Sequence, residues 1–285
     1  MLLHPLRSAL YHSKTTAFGA WITLPGAQVA RSVAASSPNL SWVTIDCEHG
    51  LTNIVPGASE SILAIRALGS QAPSALVRIP ATTSSTGAGW QIKHALDAGA
   101  AGVIVPMVAT AAQARDIVLD SRFPPSGRRG LGSMFAHGVW GLTMNEYLRV
   151  ANDGVIVIAQ IETREGVDNV EEIARVDGIG TFYPLSSPPP LFFSNVLFVG
   201  PFDLSLSLGY ATPSPDPHPE VEKTIQRIKT VAHAAGKKVA IFCTSGLQAV
   251  ARAKEGFDMV NVSVDVISMT EHIQQCVKDA LDGVA

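Results

Sequence analysis

Short, continuously apolar segments alternate with longer segments of helical pattern along most of the chain. The short segments are rich in Val and Ile and do not alternate with polar residues, which is typical of strands that are buried on both faces. We predict eight such strands, at residues 18–23, 42–46, 75–79, 102–106, 155–161, 196–200, 238–243 and 259–264.

The segments between the strands carry apolar residues every three or four positions, as one face of a helix does. Residues 62–68, 90–99, 111–119 and 221–236 have this pattern, and several such segments end in glycine, as helices often do. Eight strand–helix units predict an α/β fold, the TIM (β/α)8 barrel, as a single domain over residues 1–285. The alternative is a doubly wound sheet, but "TLPGAQVA" after the first strand lacks the glycine fingerprint of that fold.

The composition narrows the range of partners. The chain is 47% hydrophobic with a net charge of −3, and it has no basic stripe for nucleic acid. No apolar run approaches the ~20 residues that cross a bilayer, so we expect no membrane insertion. Three widely spaced cysteines argue for a reducing compartment, and we predict a cytoplasmic protein. The basic, acid-free start "MLLHPLRSALYHSKTTAFGAW" leaves a mitochondrial transit peptide as the less favoured alternative.

Polar side chains gather where the predicted strands end. In a TIM barrel these ends lie on the face that carries the chemistry, and charged residues are rarely buried unless they are paired or bind a metal. We therefore predict a functional site at this face. Its candidate residues are Asp46, Glu48, His49, Arg78, Gln160, Glu162 and Asp203.

Two of these acids suggest a metal. Glu162 and Asp203 follow the fifth and sixth strands, which are neighbours in a barrel, and carboxylates without nearby cysteine suit Mg²⁺ or Mn²⁺. The alternative is that each acid only caps the helix that follows it. No lysine occupies an inner strand position, so the sequence does not favour a Schiff-base enzyme.

His49 and Arg78 are the candidate groups for proton transfer and anion binding. A histidine titrates near neutral pH and can act as a general base, although a lone loop histidine more often bonds only to the backbone. The planar fork of Arg78 suits a carboxylate or an enolate oxygen. The alternative for Arg78 is a structural ion pair with Asp46 or Glu48.

Six segments, in this order, resemble the HpcH/HpaI family of metal-dependent class II pyruvate aldolases. They are "IDCEHG", "VRIP", "QIKHALDAGAAGVIVPMV", "RRGLGS", "QIETREGVDNVEEIARVDGI" and "LFVGPFDLSLSLG", and the resemblance runs from about residue 25 to 264. It implies a TIM barrel of the phosphoenolpyruvate/pyruvate type. It also implies an aldolase that cleaves or forms 4-hydroxy-2-oxo acids, giving pyruvate or a related 2-oxo acid plus an aldehyde through a metal-stabilised enolate.

The resemblance also assigns roles to individual residues. Glu162 and Asp203 correspond to ligands of a divalent cation, Mg²⁺ or Mn²⁺ with Co²⁺ as a further candidate. Arg78 would hold the pyruvyl oxygens, and Gln160 would line the metal site. His49 would be the acid–base group, paired with Asp97 in the helix after the third strand. The family also implies a homo-oligomer, a hexamer built from trimers, with the last helix packed on a neighbouring subunit.

Two departures from the family pattern leave the substrate open. Phe202 in "GPFDLS" stands where many aldolases carry a small residue, so we expect it to contact the substrate. Residues 181–194, "TFYPLSSPPPLFFS", form an uncharged proline-rich insertion before the sixth strand, and we expect an exposed loop on the face away from the site. It is either a retained intron or a genuine insertion.

Other activities on the same scaffold stay open at this point. They are a citrate-lyase-β-like enzyme acting on a CoA ester, a 2-oxo acid decarboxylating enzyme, and a non-catalytic or defective barrel. A CoA enzyme would need a basic rim for the nucleotide, and the sequence shows none.

Overall fold

The computed structural model of the protein describes residues 2, 4–81, 87–176 and 195–284. The insertion predicted at residues 181–194 lies outside these ranges, so the expectation of an exposed loop there stays a prediction.

Eight parallel strands close into a barrel, and each strand pairs with the next one along the chain until β8 meets β1. The predicted TIM barrel is confirmed, and the doubly wound alternative is wrong because the sheet has no open edge. The strands are β1 (Ala17–Ile22), β2 (Trp42–Asp46), β3 (Ser74–Arg78), β4 (Gly102–Val105), β5 (Ile156–Ile161), β6 (Asn195–Val199), β7 (Lys238–Ile241) and β8 (Met259–Val264).

The eight predicted strands are all present, with end shifts of one or two residues. Helices surround the barrel, and among the described residues none is long and apolar enough to cross a membrane. The helices are α1 (Pro5–Arg7), α2 (Ala27–Ala35), α3 (Ser59–Arg66), α4 (Gly89–Asp97), α5 (Ala111–Ser121), α6 (Ala136–Val139), α7 (Met144–Gly154), α8 (Arg164–Asp168), α9 (Val170–Ala174), α10 (Pro201–Leu208), α11 (Pro219–Ala234), α12 (Gly246–Lys254) and α13 (Asp265–Asp282).

The core has two layers because the side chains of each strand alternate between the two faces of the barrel wall. The outer layer packs the strands against the helices and is mostly Val, Ile and Ala. The inner layer fills the barrel with larger side chains, including Trp21, Trp42 and Phe198. The Trp42 ring occupies the space beside Gly19, where a Cβ would lie 2.0 Å from the indole, so only glycine fits at that position.

The N-terminal segment closes the bottom of the barrel. Leu6 and Leu10 pack into the inner layer, and His4 is buried beside them. His4 Nδ1 lies 2.7 Å from the Ser74 hydroxyl and Nε2 lies 3.2 Å from the Gly154 carbonyl oxygen. The arrangement is satisfied by a neutral imidazole that donates from Nε2 and accepts from Ser74. Burial lowers the pKa of His4 from 6.5 to about 4, and the nearby Arg7 and Arg66 add to this effect.

This burial predicts an acid-sensitive fold. Between pH 6.5 and 4 the unfolded chain protonates His4 while the folded chain does not, so the free energy of unfolding falls as the pH falls through this window. The expected loss is about 3 kcal/mol, since one unit of pKa corresponds to about 1.4 kcal/mol. His4→Gln keeps a donor and an acceptor but does not titrate. Urea unfolding of the wild type and His4→Gln at several pH values measures the free energy of unfolding of each. The difference between the two values should change by about 3 kcal/mol across this pH window.

His94→Gln is the matched control because it removes an exposed histidine from α4. Its unfolding curves should run parallel to those of the wild type. If the His4→Gln curves also run parallel, the assignment of His4 as the acid-sensitive group is wrong.

Candidate active site

The register of the strands brings the predicted residues to one end of the barrel. Asp46 and Arg78 are partners at the ends of β2 and β3. Ile161 pairs with Val199, so Glu162 lies level with Gly200 just past the ends of β5 and β6. A cavity of about 280 Å³ opens at this end. The predicted residues that line it are His49, Arg78, Gln160, Phe202 and Asp203.

Arg78 is held by two carboxylates at the floor of the site. Its Nε and Nη2 donate to the two carboxylate oxygens of Asp46, at 2.9 and 2.7 Å. Its Nη1 lies 3.1 Å from Glu48 Oε2. The structural ion pair that was the alternative for Arg78 is therefore present, and the guanidinium also faces the cavity. A planar fork has five N–H donors, and the two that bond to Asp46 leave others for a ligand.

The ion pair of Arg78 and Asp46 sets the charge at the floor of the site. Burial alone would raise the pKa of Asp46, but hydrogen bonds from Arg78 and from the backbone N–H groups of Glu48 and His49 lower it. Burial would lower the pKa of Arg78, and its contacts with Asp46 and Glu48 raise it instead. Both groups are therefore ionised at neutral pH. Burial raises the pKa of Glu48, and Arg78 and His49 only partly oppose this shift.

His49 lies at the open rim of the site. Its side chain is 63% exposed, and Nε2 is 3.6 Å from Glu48 Oε2. Asp46 Oδ1 accepts the backbone N–H of His49 at 3.3 Å, which fixes the turn after β2. The imidazole thus faces both solvent and the cavity, as a group that moves protons between substrate and water must do.

Glu162 is almost fully buried behind the cavity. Its two carboxylate oxygens accept hydrogen bonds from the Met107 backbone N–H at 2.9 Å and from Gln160 Nε2 at 2.5 Å. Burial, with smaller contributions from the nearby Asp203 and Glu48, raises the pKa of Glu162 to about 7 against these hydrogen bonds. Met107 adopts a left-handed backbone conformation, with φ of 56°, at the position that places this N–H. Such a conformation is strained for a residue other than glycine.

Gln160, Glu162 and Asp203 form an oxygen-rich set that fits a divalent cation. Asp203 lies in the first turn of α10, and the buried Oε1 of Gln160 has no hydrogen-bond partner within the described residues. Among the residues that the structure describes, no group of three or more His, Cys, Asp and Glu side chains is arranged to hold a metal ion. Two carboxylates with open positions are nevertheless what Mg²⁺ commonly uses, because water or substrate oxygens complete its octahedron.

Gly200 makes room for Glu162. A Cβ at this position would lie 2.5 Å from Glu162 Oε2 and 3.0 Å from Gln160 Nε2. The backbone of Gly200 has φ of −99°, which any residue can adopt, so the requirement for glycine is purely one of space.

Asp97 lies away from the site residues of its own chain. Helix α4 starts after β3 and runs back toward the start of β4, so its last residue, Asp97, lies at the opposite end of the barrel. There it forms ion pairs with Lys93 and with Arg129, whose Nη2 donates at 2.8 Å. The pairing with His49 implied by the family resemblance is not formed here, and the nearest carboxylate partner of His49 is Glu48.

Several site residues escaped the sequence analysis. Trp21 and Phe242 line the cavity, and the alternation along β1 and the end of the seventh predicted strand could have indicated them. The buried Nε1 of Trp21 has no partner within the described residues. Met107 and Gly200 act through a backbone N–H and through the absence of a side chain. Neither property has a recognisable sequence signal.

Comparison with known proteins identifies the family. The model of the HpcH/HpaI aldolase/citrate lyase family matches residues 18–271. The chain belongs to this family. It is 33% identical over 265 residues to a hydroxypyruvate/pyruvate aldolase of Chromohalobacter salexigens, covering 92% of each chain. It is 32% identical to a 2-keto-3-deoxy-L-rhamnonate aldolase of Klebsiella pneumoniae, covering 96% of this chain and 92% of that protein.

A solved structure supports the same assignment. An HpcH/HpaI aldolase/citrate lyase family protein from Burkholderia cenocepacia aligns with a TM-score of 0.81 at 30% identity, covering 98% of this chain and 99% of that one. The resemblance found in the sequence is confirmed. This HpcH/HpaI family member is a carbon–carbon lyase of the aldolase type, since the relatives that it matches over most of its length are aldolases.

The space around Gly200 gives a test of the site. Gly200→Ala would place a methyl group on Glu162 and displace its carboxylate, and a displacement of about 1 Å can cost roughly 100-fold in rate. We expect lyase activity to fall by about that factor while the melting temperature changes little. Activity assays with thermal unfolding of the same preparations measure both.

Gly246→Ala is the matched control, because a Cβ at Gly246 would meet no atom within 4 Å. It should keep full activity. A Gly200→Ala protein as active as this control would show that Glu162 need not occupy its observed position.

Proposed function

We propose that the protein cleaves and forms 4-hydroxy-2-oxo acids, with pyruvate or a related 2-oxo acid and an aldehyde as the other partners. The observation that carries this proposal is the convergence of Arg78, Gln160 and Asp203 on one cavity at the mouth of the barrel, with the buried carboxylate of Glu162 directly behind it. A 2-oxo acid has adjacent carboxylate and keto oxygens, and this cavity offers a guanidinium and a hard-cation site side by side.

The chain's own groups orient the 2-oxo acid. Arg78 lines the cavity, and Asp46 fixes the plane of its guanidinium. The first N–H groups of α10 have no partner inside the helix, so Phe202 and Asp203 offer backbone donors to a carboxylate. A divalent cation held by Glu162 and Asp203 would supply the positive charge that stabilises an enolate oxygen.

In this proposal, His49 moves the proton of the substrate hydroxyl. It lies at the rim of the cavity with its ring partly in water, so it can exchange that proton with solvent. Cleavage transfers the hydroxyl proton to His49 as the carbon–carbon bond breaks and the aldehyde leaves. The resulting enolate then takes a proton at its methylene carbon to give the 2-oxo acid.

The metal requirement predicts that chelation stops the formation of the enolate from pyruvate. Asp203→Asn, or excess EDTA with the wild type, should slow exchange of the pyruvate methyl protons for deuterium by roughly 100-fold or more. Proton NMR of pyruvate in D₂O follows the exchange directly. Added Mg²⁺, Mn²⁺ or Co²⁺ should restore it in the chelated wild type but not in the variant.

Asp168→Asn is the control, since it makes the same change at an exposed position of α8. It should exchange at the wild-type rate. Full exchange by dialysed wild type in excess EDTA would rule out the metal requirement.

We also propose that the protein is a homo-oligomer assembled through α13, with the hexamer of the family as the expected form. None of the 18 residues of α13 is buried, although Met269, Ile273, Val277 and Leu281 form an apolar stripe along it. A cavity of about 920 Å³ lies between the start of this helix, α2 and the outer face of β1 and β8. A second copy of the helix could cover this surface.

The assembly predicts that one charge on the stripe separates the subunits. Ile273→Asp should move the particle from a multiple of 30.0 kDa to the mass of a single chain in light scattering. Gln274→Asp adds the same charge at the neighbouring position of α13, off the stripe, and should leave the mass unchanged. A wild type that is monomeric at micromolar concentration would contradict the proposal.

A further inference from the structure

A second cavity adjoins the site on the same face of the barrel. It has a volume of about 490 Å³ and lies between the end of β7, the start of α11 and α12. Pro201, Phe202, Phe242 and Thr244 line both this cavity and the site cavity, so they form the wall between them. We call this second space the tail pocket.

Two aromatic rings make up the apolar part of the wall. Phe202 and Phe242 meet edge to face with their centroids 6.2 Å apart, and Phe242 meets Trp21 in the same way at 5.5 Å. Phe242 is therefore held by rings on both sides, whereas Phe202 is 38% exposed. Phe202 is the part of the wall that can move or be removed at least cost to the fold.

The far side of the tail pocket is rigid and negatively charged. Prolines 213, 215, 217 and 219 line it, and their fixed φ angles restrict the loop that carries them. The charged side chains that line it are Asp216, Glu222, Glu255 and Arg252, a net charge of −2.

The single guanidinium among them is already engaged. Arg252 donates to both carboxylate oxygens of Glu222 at 2.7 Å and to Glu255 Oε2 at 2.9 Å. Burial would raise the pKa of Glu222, but the hydrogen bonds from Arg252 and Gln226 lower it, so this carboxylate is ionised at neutral pH. A ligand that carries a carboxylate or a phosphate would thus enter a negative pocket whose arginine is occupied.

We propose that the tail pocket receives the aldehyde's chain during the aldol reaction, that it selects uncharged aldehydes, and that Phe202 limits their length. This inference rests on the proposed function and names the class of its second substrate. The 2-oxo acid brings its own carboxylate, for which Arg78 and α10 provide the donors. An acid at the other end of the aldehyde meets no free guanidinium or ammonium group among the described residues that line the tail pocket.

A matched pair of aldehydes tests the charge selection. Butanal and succinic semialdehyde have the same chain length and differ by a terminal carboxylate. With pyruvate as the other substrate, kcat/KM for butanal should exceed that for succinic semialdehyde by about tenfold or more, because like charges at an interface are strongly unfavourable. Asp216→Lys brings the pocket to zero net charge and should reduce this ratio severalfold. Glu172→Lys makes the same charge change on the exposed side of α9 and should not alter the ratio.

A second pair of aldehydes tests whether Phe202 limits the length of the aldehyde. Phe202→Ala should raise the ratio of kcat/KM for 3-phenylpropanal to that for acetaldehyde by about tenfold, as removal of a steric limit of this size does. Phe202→Leu keeps most of the volume and should change the ratio less. A ratio measured within one variant does not depend on how much of the protein is active.

Deuterium exchange into pyruvate separates the possible failures. If the wild type exchanges deuterium but accepts succinic semialdehyde as well as butanal, or if Phe202→Ala leaves the length ratio unchanged, the inference is overturned and the proposed function stands. If the metal-loaded wild type does not exchange deuterium at all, the proposed function fails, and the inference fails with it.

Discussion

The site depends on an imbalance of charge at the mouth of the barrel. Four carboxylates, those of Asp46, Glu48, Glu162 and Asp203, lie near one guanidinium, and most of them are shielded from water. Arg78 compensates Asp46 fully and Glu48 in part. Glu162 is left with two neutral donors and with negative neighbours, which is an unfavourable position for a carboxylate unless a cation joins it. The same imbalance that costs stability would favour the binding of a cation.

Much of the fold followed from the sequence because buried parallel strands have a strong pattern. Continuous runs such as Ile156 to Ala159 are apolar on both faces, and the order of such runs leaves few possible topologies. The ends of the strands were less certain. β4 stops at Val105 because Pro106 has no N–H to continue the ladder.

The candidate site was predictable where a residue acts through its side chain at a strand end. Arg78 and Glu162 meet that condition, and so do His49 and Asp203. The sequence was less informative where a position depends on the direction of the chain in three dimensions. Asp97 follows the site strand closely in sequence, but α4 carries it to the other end of the barrel. Phe242 is distant in sequence from Phe202, and only the closed sheet brings their rings together.

The hydrogen bonds of His4 have a consequence for the order of assembly. Its partner Gly154 lies 150 residues further along the chain, and Ser74 lies 70 residues away. During synthesis His4 therefore cannot complete its contacts until residue 154 has left the ribosome. Contacts between residues so far apart in sequence form slowly, since a long loop must close before they are gained. The contacts of His4 that close the floor of the barrel thus form only after β3 and β4 have been made.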